Sequence, residues 1–355
     1  MSESVVVTGA GGFLGWHVRV LAHATGISVQ AGRRPAGLDG ADRVVHLAGV
    51  NRGTDDEVRS GNVAAAEDLA RALRACTTPP KTVVFANSVQ AGNGTPYGDG
   101  KAAAAEILAE ATRWTGSTFR DERLPNVFGE HGRPHYNSVV ATFCRILADG
   151  GSPEVRDDRE LELVHATDAA AVLLGVEPSA PTGRLSVRRI EERLRRFAEV
   201  YRRGEIPELT SRFDVRLFNT YRSHCFPGHY PIALPRHADD RGALVEAVRV
   251  HGGGGQTFCS STRPGITRGE HYHLAKVERF AVIAGEAEIA LRRMFDDEIV
   301  RFRVSGREPV AVDMPSMWVH NITNVGDGEL VTLFWANDLH DPDRPDTYPE
   351  KVSKG

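Results

Sequence analysis

The chain has 355 residues, a formal net charge of −4, 25% charged residues and 41% hydrophobic ones. That length holds two domains with separate cores, and the absence of a basic stripe argues against a nucleic-acid partner. No apolar run approaches the roughly 20 residues of a membrane helix, and the start MSESVVVTGAGG lacks the basic and apolar regions of a signal peptide.

Cys76, Cys144, Cys225 and Cys259 are scattered without a CxxC, which reads as reduced thiols in a cytoplasmic protein. Only five lysines stand against 38 arginines, so a lysine at a motif position is informative. Residues 4–8 (SVVVT) read as a short buried strand, followed at once by Gly9, Gly12 and Gly15 and an apolar helix from Phe13 to about His23. A strand, a Gly-rich turn and a helix form the context in which such a loop cradles a pyrophosphate. The next strand spans Ser28 to Ala31 and runs into Arg33 and Arg34, where an enzyme using NAD places a carboxylate for the ribose. A guanidinium fork suits a 2′-phosphate, so the expected cofactor is NADPH. Asp39 is the counter-candidate, though it stands late.

Two further strands, RVVHLA (43–48) and KTVVFA (81–86), alternate with helical stretches such as 62–75. This is the rhythm of a doubly wound parallel α/β sheet. Little chain separates the second strand from RVVHLA, so one βα unit is expected to be missing. Tyr97 and Lys101 fall at i and i+4 on one helix face. A cation there favours the phenolate, which acid/base work by a tyrosine requires. Ser88, at a strand end, can hydrogen-bond a substrate oxygen. Further on, 133–138 (RPHYNS) reads as substrate-facing, Thr167 or Asp168 as a helix N-cap, and 190–203 as a basic amphipathic helix.

Through these residues the chain from about 4 to 220 resembles the extended short-chain dehydrogenase/reductase family, whose domain is Rossmann-like. The matching positions are Gly9, Gly12, Gly15, the HLAG stretch at 46–49, Asn62, Ser88, Tyr97, Lys101 and Leu124-Pro125-Asn126. The resemblance implies hydride transfer between a nicotinamide and a sugar carbon, with Tyr97, Lys101 and Ser88 catalytic. It implies a cofactor site of Gly9, Gly12, Phe13, Leu14, Gly15, Arg33, Arg34, Leu47, Ala48, Gly49, Asn62, Tyr97 and Lys101. It places Asn126, Asn137 and Ser88 beside the substrate.

After about residue 220 the pattern changes. Pro227, Gly228, Pro231 and Pro235 read as a linker, dividing a domain over 1–225 from one over 226–355. Short Val-, Ile-, Phe- and Thr-rich runs follow between glycine turns, which argues an antiparallel sandwich or barrel. His271 and His273 share one strand face. Glu278, five residues past His273, requires an intervening turn, and His320 comes from a later strand. Three imidazoles and a carboxylate suit a divalent metal, with zinc expected and nickel or iron as alternatives. The spacing resembles the cupin signature at Gly265, His271, His273, Glu278 and Gly285, so an all-β cupin jelly roll is expected. The second cupin motif keeps Pro315, His320 and Asn324, but Met317 stands where a glycine belongs; beside His273, Leu274 stands where a polar or imidazole residue is expected. Near the metal, His273, Glu278, Lys276 and Tyr272 are the candidate bases.

A 4-keto sugar nucleotide uses both sites. Its carbonyl accepts hydride at C4 and acidifies the C3 proton, and a metal would stabilise the resulting anion. As a whole the chain resembles the bifunctional capsular-polysaccharide enzymes that act on a UDP-2-acetamido-2,6-dideoxy-4-keto-hexose. The stretches HLAGVNR (46–52), YNSVVATFC (136–144), PGITRGEHYH (264–273), DDEI (296–299) and PDTY (345–348) carry that likeness. It implies C3 epimerisation in the cupin, C4 reduction with NADPH, a UDP-N-acetyl-6-deoxy-L-talosamine-type product and a homodimer. The rivals are an NAD-retaining epimerase or dehydratase, a ketoreductase with a structural cupin, and a non-catalytic sensor of NADPH or sugar nucleotide.

Overall fold

Val5, Val6 and Val7, with Val44, Val45, Val83 and Val84, are at most 3% exposed, the burial on both faces that parallel strands demand. They belong to a computed structural model that describes residues 3–32, 35–178, 182–240 and 242–354. In chain order the first elements are β1 (Ser4–Thr8), α1 (Phe13–Thr25), β2 (Ser28–Gly32), β3 (Arg43–His46), α2 (Asp55–Arg74), β4 (Thr82–Ser88), α3 (Pro96–Thr115) and β5 (Thr118–Leu124). The five strands form one parallel sheet in the order β2-β1-β3-β4-β5. No described helix joins β2 to β3, so the missing βα unit is real. The chain reverses its direction of winding at β1, and the loops after β1 and β3 diverge there, the usual place for a ligand in such a sheet.

Helix α2 starts earlier than hydrophobic periodicity suggests, because Thr54 and Glu57 close a reciprocal capping box ahead of it. Its apolar stripe, including Leu69 and Leu73, joins Leu108 of α3 and Phe85 of β4 in one core. Then come β6 (Asn126–Phe128), α4 (Val139–Ala148), β7 (Glu160–His165), α5 (Ala166–Leu174), β8 (Gly183–Ser186), α6 (Val187–Tyr201) and α7 (Arg212–Cys225). The N-cap of α5 is His165, whose Nδ1 accepts from the Thr167 amide at 3.2 Å, rather than Thr167 or Asp168.

The remaining strands are β9 (Ile232–Ala233), β10 (Arg236–Asp239), β11 (Gly242–Val245), β12 (Gln256–Thr262), β13 (Thr267–Tyr272), β14 (Glu278–Ala284), β15 (Glu286–Arg293), β16 (Ile299–Ser305), β17 (Val310–Met314), β18 (Trp318–Asn324), β19 (Leu330–Ala336) and β20 (Tyr348–Pro349). Two antiparallel five-stranded sheets, β12-β19-β14-β17-β9 and β16-β15-β18-β13-β20, make the cupin-type sandwich. Contacts divide the chain into two compact units. One holds Met1–Phe128, His135–Ser138 and Glu160–Leu185; the other holds Gly129–Pro134, Val139–Arg159 and Ser186–Gly355. The second unit therefore includes α4, α6 and α7 beside the two sheets. The proline-rich stretch after α7 is pinned within it: Tyr230 is buried and β9 adds to a sheet. No described helix is long and apolar enough to cross a membrane.

Candidate functional sites

In the first unit, Gly9 takes φ +72°, and a Cβ there would sit 2.7 Å from the Ala48 amide nitrogen. A Cβ on Gly15 would meet the Gly9 carbonyl oxygen at 2.5 Å and Ala10 Cα at 2.7 Å. The glycines thus let the 9–12 loop touch both the 47–49 segment and its own helix. Gly12 caps α1 without a side-chain hydrogen bond, and no acid lies in the first turn, so the helix end stays open to an anion. Asn62, buried in α2, donates to the Val50 and Val58 carbonyls and holds the 47–50 segment. Phe13 and Leu14 open α1, as expected of that loop. Asp39, the alternative ribose ligand, accepts the Thr78 amide at 2.9 Å. Arg33 and Arg34 lie outside the described residues.

A helical glycine usually costs up to ~1 kcal/mol relative to alanine. At Gly15 the sign reverses, because the neighbours are backbone atoms and overpacking costs typically ~1–3 kcal/mol. Gly15→Ala is therefore expected to lower the urea midpoint of the full chain. An unchanged or raised midpoint would remove the close-packing role of this residue.

Ser88 ends β4 and Tyr97 lies in the first turn of α3, where the Ser88 side chain acts on its phenol. Burial raises the Tyr97 pKa and the Ser88 bond lowers it only partly. This differs from the expectation that Lys101 dominates the phenol. Lys101 instead donates to the Ala86 carbonyl at 2.6 Å and lies 4.0 Å from the centroid of the Phe85 ring. Burial brings the Lys101 pKa down to about 7, against the pull of Asp121.

Two neighbours, His46 and Asn87, shape this site. His46, pushed down to about 3 by burial and by Lys101, has Nδ1 2.7 Å from Thr8 Oγ1. Asn87 accepts the Ser88 amide at 2.8 Å and donates to Asp121 at 2.7 Å, fixing the backbone that carries Ser88. His46 takes its partner from β1 and Asn87 takes its partner from β5, a placement that only the sheet register supplies. Asn126 donates to the Glu162 carbonyl at 3.0 Å and Asn137 to the Asn51 carbonyl at 2.8 Å, while Tyr136 OH reaches Asn51 at 2.9 Å. Residues 135–137 thus rest on the loop after β3, with Arg52 stacked over Tyr136.

In the second unit, His271, His273, Glu278 and His320 place one donor atom each within 4.8 Å of one another. His271 pairs across strands with His320, and Glu278 comes from the opposite sheet. Phe280, two residues on from Glu278, meets His320 edge-on at 5.8 Å, so the cluster lies between the sheets. Glu278 Oε2 is 3.1 Å from His273 Nε2 and 3.5 Å from His320 Nε2. Burial and the neighbouring imidazoles push His271 down to about 3, and burial also lowers His320, which keeps both rings neutral. His320 Nδ1 lies 3.1 Å from the Trp318 carbonyl. The buried His320 Nε2 has no hydrogen-bond partner among the described residues. An orphaned nitrogen facing a carboxylate, with two more imidazoles alongside, fits a divalent metal bound at about 2.0–2.2 Å per donor.

Met317 forms the tight turn that a glycine would form, at φ +61° and fully buried. Its amide donates to the His273 carbonyl at 2.7 Å. The left-handed conformation costs about 1–2 kcal/mol, and burial of the methionine side chain offsets it. Leu274 is buried, with its amide on Asp346 and its carbonyl on Arg216. Of the candidate bases, Tyr272 points to the opposite face of β13 and stacks on Tyr348. Lys276 Nζ donates to the Pro345 carbonyl at 2.8 Å.

Comparison with known proteins gives whole-length relatives. The chain is 33% identical over 374 aligned positions to UDP-2-acetamido-2,6-beta-L-arabino-hexul-4-ose reductase of Pseudomonas aeruginosa strain PA103, covering 99% of each chain. It is similar in structure to the capsular polysaccharide assembling protein CapF from Staphylococcus aureus, with a TM-score of 0.61 and 33% identity over 98% of this chain and 99% of that one. A shorter similarity, 25% over 122 residues, 32% of this chain and 81% of the relative, is to the spore coat polysaccharide biosynthesis protein SpsL of Bacillus subtilis strain 168. Residues 237–348 match the family model described as the polysaccharide biosynthesis C-terminal domain.

Proposed function

The chain belongs to the capsular-polysaccharide epimerase/reductase family represented by these whole-length relatives, and from that premise we propose that it is a bifunctional sugar-nucleotide enzyme. It epimerises C3 of a UDP-2-acetamido-2,6-dideoxy-4-keto-hexose in the cupin and then reduces C4 in the dehydrogenase domain. The product is a UDP-N-acetyl-6-deoxy-L-talosamine-type sugar for a surface polysaccharide, made by a cytoplasmic homodimer. The observation that carries this reading is the coexistence, on one chain, of the Ser88–Tyr97–Lys101 group and the His271–His273–Glu278–His320 group. Epimerisation comes first because reduction removes the ketone that acidifies C3.

When bound, NADPH supplies the hydride that C4 accepts. The Tyr97 hydroxyl delivers the proton to the C4 oxygen, and its raised pKa keeps that proton in place at neutral pH. Ser88 holds the same oxygen, with Asn87 setting its backbone. The open end of α1 and the glycine loop hold the pyrophosphate, and Arg33 or Arg34 takes the 2′-phosphate. In the cupin the four donors would hold the divalent metal, zinc above all, which supplies Lewis acidity toward the substrate carbonyl. A ketoreductase with a structural cupin is the second reading, favoured by Tyr272 facing away from the metal cluster and by the uptake of Lys276 Nζ by Pro345 and Thr347.

The deciding experiment follows NADPH oxidation with a freshly generated UDP-2-acetamido-4-keto-6-deoxy sugar in D2O, with mass analysis of the product. Consumption with one deuterium at C3 is the expected result. Consumption without deuterium would leave a reductase with a silent cupin, and no consumption with NADPH or NADH would sink hydride transfer on this substrate.

A pH dependence follows from Lys101. Its folded pKa, about 7, lies below the ordinary lysine value, so the buried ammonium weakens the fold below pH 7. That cost is relieved as pH rises toward the unfolded value of ~10.4. The ammonium that would grip the cofactor ribose is lost over the same range. kcat/KM for NADPH should therefore decline as pH rises through about 7. A profile flat from pH 6 to pH 9 would contradict the assignment.

A further inference from the structure

Between the ligands His273 and Glu278 the chain makes a short turn, 274–277, whose backbone groups are taken up on both sides. The Leu274 and Ala275 carbonyls accept from Arg216 Nη1 at 2.9 Å and Asn219 Nδ2 at 2.6 Å, both on α7. The three successive amides of Leu274, Ala275 and Lys276 all donate to one carboxylate, that of Asp346, at 2.9, 3.0 and 2.8 Å. Asp346 lies far along the chain, in the segment before β20, and holds φ +42°, a left-handed conformation that a non-glycine residue adopts only when its surroundings fix it.

The same residue touches the metal cluster through its backbone. The Asp346 carbonyl lies 2.5 Å from His273 Nδ1. A carbonyl only accepts, so Nδ1 carries a proton, and Nε2, 3.1 Å from the Glu278 carboxylate, is the ring atom left to a metal, which would displace any proton held there. Lys276 reinforces the strap by donating from Nζ to the Pro345 carbonyl at 2.8 Å and to Thr347 Oγ1 at 3.2 Å.

We infer that Asp346 is a positioning residue for the metal centre: its carboxylate sets the turn that spaces His273 from Glu278, and its carbonyl sets the tautomer and ring orientation of His273. The inference rests on the reading that the four-residue cluster binds a divalent metal. One residue couples two ligands at once, so loosening the strap shifts both.

The test uses the full-length chain with Asp346→Ala and Asp346→Asn. The alanine variant leaves three amides bare and can loosen the turn outright; the asparagine variant keeps the shape and one acceptor, and so stays folded if alanine does not. Zinc affinity is read by competition with a chromophoric chelator, and the cobalt(II)-loaded forms are compared by visible absorption. Both variants are expected to bind zinc ~10–100-fold more weakly and to show altered cobalt bands. A purely structural role would lower the melting temperature and leave both readouts unmoved. Affinities within about twofold of the parent with the same cobalt spectrum would overturn the inference, since support of a ligand is worth tenfold or more. A parent chain that takes up no metal would overturn the metal reading, and this inference with it.

Discussion

Tyr97→Phe is expected to slow NADPH-dependent reduction by ~10²–10⁴-fold, the usual worth of a positioned proton donor, while C3 deuterium exchange continues. The variant keeps the ring in place and removes only the hydroxyl and its interaction with Ser88. The loss in stability is about 1 kcal/mol, too small to unfold a domain with a core of this extent. Burial holds the Tyr97 proton on the oxygen, and Lys101 one turn along is bound to the Ala86 carbonyl, so no neighbouring group substitutes for the phenol as acid. The measurement is single-turnover NADPH oxidation, with deuterium at C3 followed in parallel by mass. A Tyr97→Phe enzyme that keeps more than a tenth of the parental rate would remove this residue from proton transfer. Loss of both readouts would place Tyr97 in a shared step or in the fold.

The second large effect is on stability. Asp313→Ala should destabilise the second unit by ~3–5 kcal/mol, because it strands a buried guanidinium. Asp313 and Arg279 have side chains 0% and 1% exposed. Arg279 donates through Nε at 2.6 Å and Nη2 at 2.9 Å to the two carboxylate oxygens, and through Nη1 to the Gly204 carbonyl. Tyr201 of α6 donates to the same carboxylate at 2.7 Å and meets the Tyr230 hydroxyl. Burial alone would raise the Asp313 pKa, but Arg279 and Arg222 hold it below the usual carboxylate range. One carboxylate thus ties α6, the segment after α7 and two strands of a sheet. Replacing both partners with apolar residues of similar volume, Asp313→Leu with Arg279→Met, should recover most of the loss, since neither charge is then left unpaired. Urea unfolding of the full chain decides it: a single variant within ~1 kcal/mol of the parent would mean that water or another cation compensates.

Much of the architecture was written in local pattern. The valine runs and the glycine loop foretold the parallel sheet, and the short jump from Ser28–Ala31 to RVVHLA foretold the missing βα unit, because strand burial and turn geometry are properties of a few adjacent residues. The five-residue step from His273 to Glu278 required a turn, and the chain makes one. The Thr54–Glu57 capping box extends α2 upstream of its apolar stripe. Met317 was a departure from the glycine rule on paper, and only its buried side chain shows how the turn tolerates it.

By itself, the sequence determined which residue types could do chemistry and on which kind of element they ride, since periodicity and turn residues act over one or two turns of chain. Tertiary structure decided what surrounds them. Lys101 is desolvated to near neutrality by the strands beneath it. His46 and Asn87 take their partners from neighbouring strands. Asp346 reaches back some 70 residues to the turn between two candidate metal ligands. Electric fields and hydrogen bonds depend on separation in space, and only the folded chain sets that separation.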